Sequence, residues 1–252
     1  MEEKKKHKRY GLLGKDIGYS FSRGYFTEKF EKLKIKYSEY VNFDIPTIED
    51  FDALIENNKL QLHGINVTIP YKEAVIPYLD KIDKTARKIG AVNTIKITKR
   101  GLLKGYNTDV FGFENSLKPL LEKQHTHALI LGTGGASKAI SFSLKRLGIK
   151  YKFVSRTPLK KKEIAYKDLT ERVLKKHTVI INSSPVGTFP AVHLKPQIPY
   201  QFITDKHLLF DLIYNPAMTS FLKEGEMKGA QIKNGLQMLE LQAEESWRIW
   251  NH

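Results

Sequence analysis

A predicted strand, a glycine-rich turn and a predicted helix follow one another between residues 128 and 147, and this succession limits the possible folds most. The apolar run ALIL at 128–131 precedes GTGGAS at 132–137, and a helical pattern continues through residue 147. Glycine lets the backbone approach a ligand closely, and a helix N-terminus presents unpaired N–H groups and a positive dipole to an anion. The segment therefore predicts an α/β domain that binds a pyrophosphate, with Ser137 in place of the third glycine of the GxGxxG pattern.

Short β-like runs alternate with helical patterns along the rest of the chain. Strands are predicted at 10–13, 37–43, 62–67, 93–98, 151–154, 178–181 and 208–212. Thr47 and Asp50 form a capping-box pattern for a helix through residue 57, Thr108 is placed to cap a helix over 109–120, and a last helix is predicted over 236–250. Such alternation is typical of parallel βαβ units.

The composition allows one large domain or two ordinary ones, since 41% of the 252 residues are apolar. No run of about 18 uncharged apolar residues occurs, and the start MEEKKKHKRY lacks the apolar stretch of a secretion signal. We therefore expect a cytoplasmic protein without a membrane span. The chain has no cysteine, and its eight histidines show no HExxH-like spacing, so no metal site is expected.

The formal net charge of +15 is concentrated in one segment. Between residues 145 and 176, twelve Lys and Arg face three acidic residues, which gives +9. Such a field attracts nucleic acid, and it also attracts small anions such as phosphates and carboxylates. The sequence contains no RRM, KH or zinc-finger pattern, so nucleic-acid binding is kept only as the alternative from another functional class.

The strand predicted at 151–154 ends in Ser155-Arg156-Thr157. An NAD enzyme usually has an acidic residue at this place, where it holds the ribose 2′-hydroxyl. Arg156 and its two hydroxyl neighbours, with the lysines at 160–162, suit a 2′-phosphate instead. For these three lysines, a solvated basic loop is the alternative. The segment therefore predicts NADP as the cofactor.

Three polar clusters follow predicted strands in the first half of the chain. They are SFS at 20–22, NVTIPYK at 66–72, and AVNT at 91–94 followed by GYNTD at 105–109. In an open α/β sheet, ligands bind at the carboxyl ends of the strands, so these clusters predict a polar pocket. For any single Asn or Ser, ordinary turn and capping chemistry is the alternative.

Taken together, these segments resemble the shikimate dehydrogenase family. The matching motifs are Ser-x-Ser, Asn-Val-Thr-x-Pro-x-Lys, Ala-Val-Asn-Thr, Gly-Tyr-Asn-Thr-Asp, the glycine loop, and Gly-Leu-x-Met-Leu-x-x-Gln-Ala near residue 240, in the same order. The resemblance implies the reversible NADPH-dependent reduction of 3-dehydroshikimate to shikimate, in the chorismate pathway to the aromatic amino acids. It also implies a discontinuous substrate domain (1–109 plus 236–252), a Rossmann-like NADP-binding domain (110–235), and an active site in the cleft between them. We expect a monomer or a homodimer.

The resemblance also assigns site residues. Ser20 and Ser22 would donate hydrogen bonds to the substrate carboxylate, and Lys72 and Asp109 would be the catalytic pair. The full set of substrate-binding residues implied is Ser20, Ser22, Asn66, Thr68, Lys72, Asn93, Asp109, Tyr214 and Gln242. The cofactor-binding residues implied are Gly132, Gly134, Gly135, Ala136, Ser155, Arg156, Thr157, Gly235 and Met238.

The chain departs from the family pattern in two places. The common loop Gly-x-Pro-Ile-x-His-Ser-x-Ser-Pro is GKDIGYSFSR at 14–23, and Ser155 replaces the asparagine usual in NADP-using relatives. Two alternatives within the family therefore stay open, a quinate/shikimate paralogue with relaxed cofactor or substrate choice, and a catalytically dead sensor. The presence of both Lys72 and Asp109 argues against the sensor.

Overall fold

The computed structural model describes residues 7–18 and 20–252, which form two compact units. The first unit comprises the described residues up to Thr108 together with Ala243–His252, and the second comprises Asp109–Gln242. The predicted domain limits placed Asp109 and residues 236–242 in the first domain. The structure groups them with the second unit, where Met238 packs in the same apolar cluster as Phe113.

The described residues of the first unit up to Thr108 form six strands and four α-helices. The strands are β1 (Lys8–Gly14), β2 (Ser38–Asp44), β3 (Leu62–Val67), β4 (Lys81–Ile82), β5 (Thr94–Ile97) and β6 (Leu103–Tyr106). The helices are α1 (Phe21–Lys32), α2 (Phe51–Asn58), α3 (Tyr71–Ala74) and α4 (Lys84–Ile89). The predicted capping box is confirmed: the Thr47 N–H donates to Asp50 Oδ2 over 3.3 Å, and a short 3₁₀ turn then leads into α2.

The sheet of the first unit is mixed, with the order β2-β1-β3-β5-β6-β4. Strands β1, β2 and β3 pair in parallel, as predicted. In contrast, β5 pairs antiparallel with both β3 and β6. The connection from β5 to β6 is a tight turn in which Gly101 has φ +79°, and a parallel pair would need a crossover of about a dozen residues.

The order β2-β1-β3 creates a topological switch point at β1. Strand β2 lies on one side of β1 and strand β3 on the other. The connections that follow β1 and β3 therefore lead in opposite directions, which leaves a crevice at the carboxyl ends of these strands. The sheet has an apolar cluster around Leu13, Ile65 and Phe51, and an aromatic cluster around Tyr10 and Trp250. The polar loops therefore project from a sheet that is held on both faces.

The second unit is built on a parallel sheet with the order β12-β11-β10-β7-β8-β9. Its strands are β7 (His127–Leu131), β8 (Lys150–Ser155), β9 (Glu163–Ala165), β10 (Val179–Asn182), β11 (Leu208–Asp211) and β12 (Gln231–Lys233). Its helices are α5 (Asp109–Leu117), α6 (Gly135–Arg146), α7 (Glu171–Lys176), α8 (Ser220–Met227) and α9 (Leu236–Asn251), the last of which continues into the first unit.

The four strands predicted in this unit are confirmed. Strands β7, β10 and β11 are buried and largely apolar, as expected for a parallel sheet covered on both faces, whereas β8 carries two exposed lysines. The switch point lies between β7 and β10, since β8 and β9 extend the sheet on one side of β7 and β10 to β12 extend it on the other. The predicted Rossmann-like arrangement is therefore confirmed. The helix predicted over 109–120 is α5, which ends at Leu117 and continues as a 3₁₀ turn over Lys118–Leu120.

None of the helices in the described part of the chain is both long and apolar enough to cross a membrane. Within residues 7–18 and 20–252, no group of three or more His, Asp or Glu side chains is arranged to hold a metal ion.

Candidate functional site

The polar loops of the first unit meet at the carboxyl ends of β1 and β3. Backbone hydrogen bonds hold them there: the Thr68 N–H donates to the Leu13 carbonyl over 2.9 Å, and the Val92 N–H donates to the Lys72 carbonyl over 2.7 Å. The Val67 N–H donates to the Asn93 carbonyl over 2.8 Å. Thr68, Lys72 and Asn93, which are far apart in sequence, therefore lie at one edge of the sheet.

The two serines of the first loop lie at the start of α1. Ser20 is its N-cap, and the Ser20 Oγ accepts a hydrogen bond from the Arg23 N–H over 3.3 Å. Because the oxygen is used as the acceptor, the hydroxyl proton of Ser20 is available to donate to an anion. Burial raises the pKa of the Tyr40 phenol on β2, and the nearby Ser22 side chain opposes this rise. Tyr19 lies outside the described residues.

Beneath these loops lies a buried polar network. The Asn93 Oδ1 accepts from the Thr108 N–H over 2.7 Å and from the Thr94 hydroxyl over 3.1 Å. The Asn66 Nδ2 donates to the Ser246 Oγ over 2.9 Å, and the Asn66 Oδ1 accepts from the Tyr40 hydroxyl over 2.8 Å. Buried polar groups need such partners, and the partners fix how each amide is oriented.

In the second unit, Asp109 and Gln242 lie on two packed helices. Asp109 is the first residue of α5 and is only 3% exposed. One turn later, a Cβ atom on Gly112 would overlap the Met238 carbonyl oxygen and lie 3.3 Å from the Gln242 Cγ. Since α5 and α9 approach this closely only because residue 112 is glycine, the glycine brings Gln242 to within about one helical turn of Asp109.

The glycine turn at 132–135 lies at the switch point of the parallel sheet. Gly132 has φ +110°, a conformation that other residues rarely adopt, and a Cβ there would lie 3.2 Å from the Ser183 Oγ. A Cβ on Gly134 or Gly135 would have no atom within 4 Å among the described residues, so the surface above the turn is open. The first turn of α6 begins here and directs backbone N–H groups into that space.

The segment Ser155–Thr157 lies beside the glycine turn, because β8 pairs with β7 and the Gly132 N–H donates to the Val154 carbonyl over 3.0 Å. The Ser155 Oγ accepts from the Thr157 N–H over 3.2 Å, and the Arg156 side chain is exposed. A pyrophosphate over the open turn and a phosphate near the Arg156 guanidinium would therefore find complementary donors on adjacent strands. These residues fit NADP.

On the other side of β7, the carboxyl edge of the parallel sheet continues with β10 and β11. Asp211 ends β11 with no exposed surface, and its carboxylate accepts from Asn182 Nδ2 over 3.0 Å, from the Ile213 N–H over 3.0 Å and from the Thr219 hydroxyl over 2.7 Å. Burial raises the pKa of Asp211 to about 6 in spite of these hydrogen bonds. Asp211 therefore anchors the loop that carries Tyr214, whose own pKa burial also raises.

Gly235 packs against that loop. Its N–H donates to the Ile213 carbonyl over 3.0 Å, and a Cβ atom on it would overlap the Leu212 carbonyl oxygen. Along the edge, the order is Ser155–Thr157, then 132–136, then 182–184, then 211–214 with Gly235. The three strand spacings from β8 to β11 span roughly 14 Å.

The structure thus groups the predicted site residues into two sets, one in each unit. The first set is Ser20, Ser22, Asn66, Thr68, Lys72 and Asn93. The second is Asp109, Gly132, Gly134, Gly135, Ala136, Ser155, Arg156, Thr157, Tyr214, Gly235, Met238 and Gln242. The sequence reasoning did not single out Tyr40, Thr94, Asp211 or Ser246, and a polar residue within an apolar strand or helix pattern was the only signal for them.

Comparisons with known proteins identify the family. A model described as the shikimate dehydrogenase substrate binding domain matches residues 12–95. A relative from Methanococcus vannielii, named shikimate dehydrogenase (NADP(+)), is 38% identical over 259 residues, which cover 95% of this chain and 90% of the relative.

Solved structures agree. Shikimate dehydrogenase 1 from Peptoclostridium difficile has a TM-score of 0.84 at 38% identity and covers 97% of this chain and 91% of its own. Shikimate 5-dehydrogenase from Thermus thermophilus, solved with NADP(H) and shikimate, has a TM-score of 0.84 at 30% identity, covering 96% of this chain and 93% of its own. The resemblance stated from the motifs is confirmed, and the chain belongs to the shikimate dehydrogenase family.

Proposed function

We propose that this protein catalyses the reversible NADPH-dependent reduction of 3-dehydroshikimate to shikimate. The observation that carries the proposal is the set of hydroxyl, amide and ammonium groups gathered at the switch point of the first sheet, in a chain of this family. A substrate with one carboxylate and several ring hydroxyls can form hydrogen bonds with all of these groups. The NADP⁺-named relatives at up to 38% identity support the same activity.

Ser20 and Ser22 are the proposed ligands of the substrate carboxylate. Both lie at the N-terminus of α1, where the helix dipole adds to the attraction for an anion. Asn66, Thr68, Asn93 and Gln242 would hold the ring hydroxyls, and Tyr214 would contribute its phenol. Since amide and hydroxyl groups are neutral, they can distinguish positions around the ring without competing for the carboxylate.

Lys72 is the proposed proton donor. Bound NADPH supplies the hydride that reduces the C3 ketone, and the resulting alkoxide oxygen takes one proton, so the carbonyl becomes a hydroxyl. The Lys72 ammonium stabilises the charge that develops on this oxygen and donates the proton. Asp109 would orient Lys72 and accept hydrogen bonds from the substrate hydroxyls. The location of this chemistry in a cleft between domains stays a prediction.

Arg156 is the residue proposed to select NADP over NAD. Its exposed guanidinium follows β8, and no carboxylate is present at 155–157 to hold a 2′-hydroxyl. We propose that Arg156, with the hydroxyls of Ser155 and Thr157, binds the 2′-phosphate of NADP through charge-assisted hydrogen bonds. A cytoplasmic location, a monomeric or homodimeric state, and the absence of a nucleic-acid partner stay predictions from the sequence.

The test is the absorbance of reduced nicotinamide with shikimate and NADP, then with NAD, then with quinate. The variants are Lys72→Ala and, as a matched control, Lys99→Ala in the exposed turn between β5 and β6. We expect shikimate-dependent NADP reduction, a kcat about 10² to 10⁴ lower in Lys72→Ala with a small change in KM, and no change in Lys99→Ala.

The other outcomes are equally informative. Faster turnover of quinate, or a preference for NAD, would support the paralogue with relaxed choice. A folded protein that reduces neither cofactor with either acid would contradict the proposed function.

A further inference from the structure

Tyr40 holds a fixed phenolic hydroxyl beneath the substrate edge of the first sheet. Its ring is buried and stacked on Phe26, with ring centroids 4.6 Å apart and an interplanar angle of 12°. Trp250 packs on the same cluster, with its ring centroid 6.4 Å from that of Tyr40. These contacts restrain the ring, and the hydroxyl lies 2.8 Å from the Asn66 Oδ1.

The amide of Asn66 has one orientation in this network. Its Nδ2 lies 2.9 Å from the Ser246 Oγ, 3.2 Å from the Thr94 Oγ1 and 3.4 Å from the Asn93 carbonyl oxygen. A carbonyl oxygen only accepts, so the atom that faces Asn93 must be the NH₂ group, and Tyr40 must be the donor to Oδ1.

The hydrogen-bonding capacity of Asn66 is therefore almost used up within the protein. An amide has two N–H donors and two oxygen lone pairs. Both donors face partners in the network, and among the residues that the structure describes, Tyr40 is the donor to Oδ1. What remains toward a ligand is one acceptor position on Oδ1.

We propose that Tyr40 and Ser246 are positioning residues of the substrate site, which lock the Asn66 amide so that it presents only an acceptor and thereby selects a substrate hydroxyl. This inference rests on the proposed function. Neither residue needs to reach the substrate: Tyr40 is buried on β2, and Ser246 has no exposed surface on α9. Without them, the amide is held by Thr94 and by the long 3.4 Å contact with the Asn93 carbonyl, so its orientation is less firmly fixed. A flipped Asn66 would present its NH₂ group, which cannot accept a hydrogen bond from a substrate hydroxyl.

Tyr40→Phe is the direct test, because it removes one hydroxyl and keeps the stacked ring. We expect the KM for 3-dehydroshikimate to rise about 3- to 10-fold, the factor for one net hydrogen bond, with kcat and the KM for NADPH unchanged. Tyr10→Phe is the matched control. Tyr10 pairs with Tyr40 across β1 and β2 and belongs to the same aromatic cluster, and its loss of a hydroxyl should leave all three parameters unchanged.

A double-mutant cycle with Asn66→Ala decides whether Tyr40 acts through Asn66. In the Asn66→Ala background, Tyr40→Phe should raise the KM for 3-dehydroshikimate by less than about 1.5-fold. Tyr40 also contacts Ser22, and any effect through Ser22 appears in both backgrounds and is subtracted by the cycle. Ser246→Ala removes the hydroxyl that accepts from the Asn66 Nδ2, and it should likewise raise the KM for 3-dehydroshikimate. This variant replaces Tyr40→Phe as the test if Tyr40→Phe does not fold.

Substrate analogues test the selection itself. We compare 3-dehydroshikimate with analogues that each lack one ring hydroxyl. One of these analogues should bind the wild-type protein more weakly than 3-dehydroshikimate does, and it should bind Asn66→Ala as well as 3-dehydroshikimate does. An active wild-type protein whose KM is unchanged by Tyr40→Phe and Ser246→Ala overturns this inference alone, as do additive effects in the cycle or equal losses for every analogue in both proteins. A folded, inactive wild-type protein overturns the proposed function and this inference together.

Discussion

Replacing Asp211 by asparagine is expected to change how the free energy of unfolding depends on pH. The Asp211 carboxyl is fully buried at the end of β11, and burial raises its pKa from 3.8 to about 6. Asparagine has the same shape and cannot ionise. Its Oδ1 can accept from Asn182 and Ile213 as the carboxylate does, and its NH₂ group can donate to the Thr219 hydroxyl oxygen.

The sign follows from proton linkage. Because the folded protein holds the Asp211 proton more tightly than the unfolded chain does, the folded state binds more protons between about pH 4 and pH 6. The free energy of unfolding is therefore highest below about pH 4, falls as the pH rises to about 6, and is level above that. One pKa unit corresponds to about 1.4 kcal/mol, so a shift of about two units gives a fall of about 3 kcal/mol.

The assay is urea unfolding at several pH values between 4 and 7.5, for the wild type and Asp211→Asn. The difference between the two proteins removes the contribution of every other titrating group that is not coupled to Asp211. We expect Asp211→Asn to gain about 2 to 3 kcal/mol relative to the wild type as the pH rises from 4 to 7. Asp205→Asn, at an exposed carboxyl of the same unit, should show no such gain. Parallel curves for the wild type and Asp211→Asn would refute the reasoning.

Three further predictions concern cofactor choice and packing. Arg156→Ala should lower the ratio of kcat/KM for NADP over NAD about 10- to 100-fold, and an unchanged ratio would exclude a contact with the 2′-phosphate. Gly235→Ala should cost about 1 to 3 kcal/mol in urea unfolding, because the added methyl group overlaps the Leu212 carbonyl, and wild-type stability would contradict that overlap. Trp250→Phe should cost about 1 to 3 kcal/mol in the same assay, because the Ile95 carbonyl loses the indole N–H that lies 3.0 Å away, and a cost below about 0.5 kcal/mol would show that the carbonyl finds another donor.

Local patterns predicted the longer strands and missed the short ones, β4, β6, β9 and β12. Strands such as β7 and β10 are continuous apolar runs, and such runs are buried wherever they occur in the fold. In contrast, β6 has four residues and merges with the polar sequence that follows it, so it was interpreted as a loop. Its pairing with β5 depends on the turn around Gly101, and no local periodicity reports that pairing.

The same limit applies to the site. Lys72, Asn93 and Asp109 belong to motifs with a recognisable order, so the resemblance located them. Tyr40 and Ser246 were missed because an aromatic residue in a strand and a serine in a helix predict packing and nothing else. Their meeting at Asn66 joins positions 26 and 180 residues away from it, and only the folded sheet brings them together.

The division of the chain at Gln242 has a consequence for biosynthesis. The residues of the second unit form one unbroken stretch, so they emerge from the ribosome as a complete set. Ser246 and Trp250 belong to the first unit but are translated only after that stretch. The Ile95 carbonyl, for example, accepts its hydrogen bond from the Trp250 indole, which lies 155 residues later in the sequence. The residues of the first unit that precede Asp109 are therefore translated before the second unit and acquire their final neighbours after it.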